Sequence, residues 1–198
     1  MRPMARAKGR ITSDERRVQL VATAKRTFAT RAYDDVAMED IAREALISKA
    51  LLYQHFPTKR DLYVAALHDV CEDLIAVVKQ ISHELPPLER VRFGLDRYLD
   101  YIAAHKASFL SLVNGGLGGD PAVVALKESF RRSVIDALLA DSPLAGSEPR
   151  IMLAARGWLG FVELASVEWC VSGNIERERV RELLTHMLFE GLRYVAST

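Results

Sequence analysis

Apolar residues recur along this chain at intervals of three and four, not two, and the interruptions fall at proline and glycine. The pattern predicts helices throughout and no strand. A first helix starts at Thr12 or Ser13, where Thr12 and Glu15 form a capping box, and turns Leu20, Val21, Ala24, Thr27 and Phe28 inward. It ends before Tyr33-Asp34-Asp35. A second runs from about Met38 to Ala45 with Met38, Ile41, Ala42 and Ala45 inward. A third runs from about Ser48 to Phe56, buries Leu52 and Phe56, and stops at Pro57. Thr58 and Asp61 form another capping box for a fourth helix reaching about Ser82.

Pro86-Pro87 ends that segment. A fifth helix carries Leu88, Val91, Leu95, Tyr98, Leu99 and Ile102, and a short one covers about Lys106 to Val113. The glycines from Gly115 to Gly119 form a loop; no strand precedes them and no Lys-Ser/Thr follows, so they are not a phosphate cradle. Asp120-Pro121 starts a helix to about Ala140, with proline at its favoured first position. After a turn-rich connection, a long helix runs from about Pro149 to Ser172. Gly173-Asn174 breaks it, and a last helix runs from Ile175 to Ala196.

Charge alters this picture through its distribution. The 198 residues carry a net charge of only +1. Residues 1–62 hold 13 Lys/Arg against 8 Asp/Glu, and the remainder 14 against 18. A basic N-terminal third on an acidic body suits a nucleic-acid reader with a separate second domain. Arg2, Arg6, Lys8 and Arg10 make the arm at residues 1–11 basic, either as a solvated tail or as an arm for phosphate or the minor groove. No apolar run reaches the ~20 residues of a membrane span, and no apolar signal core follows the basic N-terminus. A cytoplasmic protein is expected, with Cys71 and Cys170 reduced and buried; a linking disulfide is the alternative.

The chemistry concentrates in residues 37–62. Two short helices joined at Leu46-Ile47 fit a helix-turn-helix, whose second helix enters the major groove. With Leu52 and Phe56 inward, Lys49, Leu51, Tyr53, Gln54 and His55 remain outside or at the edges, a set suited to phosphates and base edges. Lys59 sits in the first turn of the fourth helix, where a cation opposes the helix dipole; a bound phosphate would explain it.

The run Ile47-Ser48-Lys49-Ala50-Leu51-Leu52-Tyr53-Gln54-His55-Phe56, followed by Lys59 and Leu62, resembles the DNA-binding domain of the TetR family of transcriptional regulators. Ile41-Ala42, Phe28 and Tyr33 fit the same pattern, and the resemblance covers about Thr12 to Leu67. It implies phosphate contacts by Tyr53, His55 and Lys59. It implies base contacts by Lys49, Ala50, Leu51 and Gln54. Three positions depart from the family: Ala32 and Leu46 stand where glycine is usual, and Ala37 replaces a Ser/Thr cap. A left-handed Leu46 costs roughly 1–2 kcal/mol, so this turn is either mildly strained or differently shaped. The missing cap costs about 1 kcal/mol, for which Asp34 or Asp35 would compensate.

The resemblance implies an all-α protein. Residues 12–62 form an N-terminal three-helix helix-turn-helix domain, and residues 63–198 a larger helical ligand-binding and dimerisation domain. The segment from Arg156 to Glu163, followed by Trp169, is similar to the penultimate helix of some members. Gly157 and Gly160 then let another helix approach closely. The apolar stripe of the last helix (Val180, Leu183, Leu184, Met187, Leu188, Gly191, Leu192) faces a four-helix bundle shared between two subunits, or its own core. A homodimer built through the last two helices would place two recognition helices about 34 Å apart on a near-palindromic operator. Phe109, Leu112, Phe130, Val134, Trp158, Phe161, Glu163 and Trp169 are the expected lining of a pocket for a small, mainly apolar effector. Arg156, Glu163 and Glu168 orient a head group or pair across the dimer.

The expected function is a DNA-binding transcriptional regulator, a repressor released by its ligand or else a ligand-dependent activator. A helical small-molecule carrier with impaired DNA binding is the rival. The five histidines are scattered and no HExxH occurs, so no catalytic site, metal or cofactor is expected.

Overall fold

The computed structural model describes residues 11–80, 84–114, 116–139 and 149–197, without the side chains of Ser111, Leu112 and Ala196. The expected arm therefore lies almost entirely outside the described residues, as does most of the connection before Pro149. Among the described residues the chain forms helices and no strand: α1 (Ser13–Thr30), α2 (Met38–Glu44), α3 (Lys49–His55), α4 (Lys59–Lys79), α5 (Pro87–Ala104), α6 (Lys106–Asn114), α7 (Pro121–Leu139), α8 (Pro149–Ser172) and α9 (Arg177–Ala196). None of these is long and apolar enough to cross a membrane.

The caps explain most of the boundaries. Thr12 accepts from the Glu15 N–H at 3.2 Å, and Glu15 accepts from the Thr12 N–H at 2.8 Å. At α4, Thr58 accepts from the Asp61 N–H, but the Asp61 carboxylate takes the Thr58 hydroxyl proton at 2.7 Å instead of closing a capping box on the backbone. At α2, the compensation expected from Asp34 or Asp35 comes from Asp40. Its carboxylate accepts from the Ala37 N–H at 3.4 Å and pairs with Arg31 and Arg43. Asp40 lies three residues into the helix and so reaches back to the uncapped N–H.

The N-terminal core closes α1 to α4 around Leu20, Ala24, Phe28, Met38, Ile41, Leu52, Phe56, Leu62 and Tyr63, all buried. The Phe28 and Tyr63 rings meet edge-on at 4.9 Å, and Tyr33 meets Tyr63 at 4.9 Å. Val70, Cys71 and Leu74 continue this core along α4, where Val123 of α7 joins it. Beneath α1, Lys25 pairs with Asp69 at 2.9 Å and with Asp73, whose carboxylate also accepts from the Tyr101 hydroxyl at 3.2 Å. Burial, then the charge of Asp73, pushes the Tyr101 hydroxyl well up, so it stays a donor. α1, α4 and α5 are thus tied through one carboxylate.

Farther along, α8 and α9 pack together. The expected apolar stripe of α9 divides: Val180, Leu184 and Leu188 are buried, while Leu183 and Met187 stay about half exposed at 50% and 46%. Both cysteines are free and buried. Burial pushes the Cys71 thiol up to about 12, against a lowering by Lys127.

Leu46, in the turn between α2 and α3, has φ 56° and is 91% exposed. Its side chain gains almost no burial to offset the left-handed backbone. Leu46→Gly is expected to raise stability by about 1 kcal/mol, the relieved strain less the added unfolded-state entropy; urea unfolding at neutral pH measures it.

Candidate functional site

Recognition-helix geometry follows from two buried anchors. Leu52 and Phe56 hold α3 on the core, so the opposite face must point to solvent. Lys49, Ala50, Tyr53 and Gln54 are exposed; Leu51 and His55 are half-buried at the edges. Ser48 caps the helix by accepting from the Leu51 N–H at 3.2 Å. The Lys49 ammonium is paired with Glu39 of α2 and lies 5.7 Å from the centre of the Tyr53 ring. Lys49 holds the Glu39 carboxyl below the usual range.

Two cations work mainly inside the domain. Lys59 donates to the carbonyls of Tyr33 at 2.9 Å and Val36 at 3.0 Å, and its ammonium lies 4.3 Å from the centre of the Tyr33 ring. These carbonyls explain a cation in the first turn of α4 without a phosphate. An ammonium has three N–H groups, so one remains for an outside acceptor. Arg17, absent from the sequence-based candidates, donates to the His55 carbonyl at 3.1 Å and stacks 4.2 Å over the Phe56 ring. It closes an orphan carbonyl at the end of α3. Nothing in the pattern of α1 distinguishes Arg17 from its neighbour Arg16.

A bidentate ion pair joins this domain to the rest. Arg60, one residue after Lys59, donates to Asp120 at 2.5 and 2.8 Å. Asp120 also caps α7, accepting from the Ala122 and Val123 N–H groups at 2.9 and 3.4 Å. Arg60 first, and then these N–H groups, hold its carboxyl below the ordinary range against partial burial. The sequence marks Asp120 as a helix start but offers no sign of a partner sixty residues away.

α7 then lines a cavity of about 690 Å³ enclosed by α4 to α9. Phe109, Phe130, Val134, Trp158 and Glu163 lie on its wall as expected, together with Leu74, Tyr98 and Lys127. The side chain of Leu112 lies outside the described residues. Phe161 and Trp169 are not on the wall; they pack beside Leu95 and Val180. Trp169 spends its indole N–H on the Ile175 carbonyl at 3.0 Å. An eleven-residue spacing brings two tryptophans near one helix face, but α9 takes the second. Trp158 donates to the Leu184 carbonyl at 2.8 Å while its ring faces the cavity. Glu163 pairs with Arg131 at 2.8 Å, and Arg156 with Glu128, so these two charges of α8 find partners on α7 of the same chain; Glu168 is exposed.

A helix-turn-helix with an exposed recognition face, joined to a helical domain that encloses an apolar cavity, defines a ligand-responsive DNA-binding regulator. The chain belongs to the TetR family: residues 20–66 match the family model for bacterial regulatory proteins of the tetR family, and residues 87–191 that for the tetracyclin repressor-like C-terminal domain. It is similar to the transcriptional activator FasR of Mycolicibacterium smegmatis, at 28% identity over 84% of this chain and 83% of that protein. It is also similar to the transcriptional regulator RutR of Escherichia coli O157:H7, at 25% identity over 88% and 89% of the two chains. A TetR-family regulator from Streptomyces coelicolor superposes with a TM-score of 0.85 at 29% identity, over 94% of this chain and 84% of that one. Members of this family bind operator DNA and small-molecule ligands as dimers.

Lys59→Met removes two charge-assisted hydrogen bonds and is expected to lower stability by about 1–2 kcal/mol. Tyr53→Ala, on the exposed face, is expected to change it by no more than about 0.5 kcal/mol. Urea unfolding of the DNA-free protein measures both.

Proposed function

We infer that the chain is a homodimeric repressor, released from a near-palindromic operator when a mainly apolar small molecule fills the cavity. Residues 12–62 read DNA, and residues 63–198 bind effector and dimerise. The observation that carries this reading is the exposure of Lys49, Ala50, Tyr53 and Gln54 together on one face of a helix anchored by Leu52 and Phe56. Ala50 and Leu51 meet thymine methyls, and Lys49 and Gln54 supply hydrogen bonds to base edges. Tyr53, His55 and the remaining N–H of Lys59 hold phosphates.

Dimerisation through α8 and α9 is supported by what those helices leave in solvent. Leu153 and Leu164 are 73% and 70% exposed, and Leu183 and Met187 about half. A Cβ added at Gly157, Gly160 or Gly191 would meet nothing within 4 Å in the protomer. An apolar stripe with room for a close-packed helix suits a second copy of the chain. Effector entry acts on α7, whose capping Asp120 grips Arg60 at the start of α4, and so changes the separation of the recognition helices. Activation is the second reading, favoured by the similarity to FasR, which is named an activator.

Mobility shift with DNA from upstream of the protein's own gene is expected to show a specific complex that weakens with salt, as released counterions require. Tyr53→Ala is expected to weaken that complex about tenfold or more. Absence of specific binding by a folded dimer would overturn the reading in favour of a small-molecule carrier. A reporter fused to that promoter, with and without the protein, separates repression from activation.

Met187→Glu places a charge in the apolar stripe of α9. Sedimentation is expected to show monomers, and operator binding is expected to be lost with the dimer. A Met187→Glu protein that stays dimeric would move the interface elsewhere.

A further inference from the structure

We propose that the ligand of the cavity is an anionic amphiphile, with its apolar body against the aromatic wall and its anion on Lys127. This rests on the reading of the cavity as the effector site. Among the described residues the wall carries five cations, Lys79, Arg90, Lys127, Arg131 and Arg193, against one carboxylate, Glu163. Most of the remaining wall is apolar.

Lys127 differs from the exposed Lys79 and from the paired Arg131 and Arg193 in being partly buried without an ion pair among the described residues. Its ammonium is half-buried and donates to the Val113 carbonyl at 3.2 Å; among the described residues no carboxylate lies within ion-pair distance of it. Glu163, the carboxylate on the wall, is already held by Arg131 at 2.8 Å. Burial pushes the Lys127 amine below the ordinary lysine range; Glu163 works against this and Arg131 adds to it. A charge drawn from water with one neutral acceptor is costly, and an incoming anion removes that cost. Phe130 and Val134 follow Lys127 along α7 on the same wall, with Phe109 and Leu74 across from them. An apolar chain extending from the anion is therefore buried as it enters.

Carboxylate and phosphate head groups share the required charge. The probes are dodecanoate, dodecyl phosphate, dodecanol and dodecylamine, each below its micelle-forming concentration. Binding is read from Trp158 fluorescence in the full-length Trp169→Phe protein, since Trp158 lines the cavity and Trp169 does not. One or both anions are expected to bind about tenfold or more tighter than the alcohol, and the amine weakest, as a charged hydrogen bond requires. Comparison of the two anions identifies the head group. Lys127→Met is expected to abolish the preference and Lys127→Arg to retain it; a folded Lys127→Met protein that keeps the preference overturns the proposal. Glu163→Gln is expected to tighten anion binding without tightening alcohol binding.

Equal binding of alcohol and anions, or no binding of any probe, overturns the anion site while leaving operator binding as measured by mobility shift untouched. Anion binding that obeys Lys127 but leaves operator affinity unchanged upholds the site and overturns its role as the effector switch.

Discussion

Helix α4 has to be buried on several sides at once, and the rest of the molecule is arranged around that constraint. Its first turns lay Leu62, Tyr63 and Ala66 into the helix-turn-helix core. Its middle presents Val70, Cys71 and Leu74 to α1 and α7. Its last turns, through Val78 and Lys79, reach the cavity. Close-packed helices move as bodies, not by local yielding. A shift at the cavity end therefore has a mechanical path to the DNA-facing end. The bidentate Arg60–Asp120 pair adds a second path through α7, and both paths end beside Lys59.

The basic character of the N-terminal third has a different meaning once the partners are known. Lys25, Lys49, Lys59, Arg17, Arg31 and Arg60 all have acceptors inside the protein. Much of the positive charge fastens loops and helix ends, where carbonyls or carboxylates would otherwise lack donors. The exposed face of α3 is correspondingly less charged than the net count suggests, and the proposed base contacts fall to Ala50, Leu51 and Gln54 as well as to Lys49. Lys127 is the contrast: a cation placed where the protein supplies one carbonyl.

Most helix boundaries and inward faces of α1 to α5 were legible because each depends on residues within a turn or two of one another; of the caps, the Thr12–Glu15 box forms as expected, while α2 draws on Asp40 and Asp61 meets the Thr58 hydroxyl. Thr12 with Glu15 and Pro57 after α3 are local; that Ser48 caps α3 and that Leu46 takes the left-handed backbone came from the structure. The α3 face was legible for the same reason, since two buried anchors on a two-turn helix fix what remains outside. Of the eight residues expected at the pocket, Phe109, Phe130, Val134, Trp158 and Glu163 lie on the cavity wall, and three of these five are aromatic residues on helices that had to be buried. Phe161 and Trp169 were misplaced because choosing among apolar residues on one helix requires knowing which neighbour lies on each side.

By itself the sequence determined the helical periods, the chain breaks, the residues presented by α3 and the family that they resemble, since these follow from spacing and from side-chain chemistry along one axis. Only the tertiary structure decided that Lys59 holds the loop after α1, that Arg17 closes the end of α3, that Arg60 meets Asp120 and that Lys127 faces the cavity with no carboxylate within ion-pair distance among the described residues. Each joins residues far apart in the chain, and no local spacing encodes which distant donor and acceptor meet once the helices have packed.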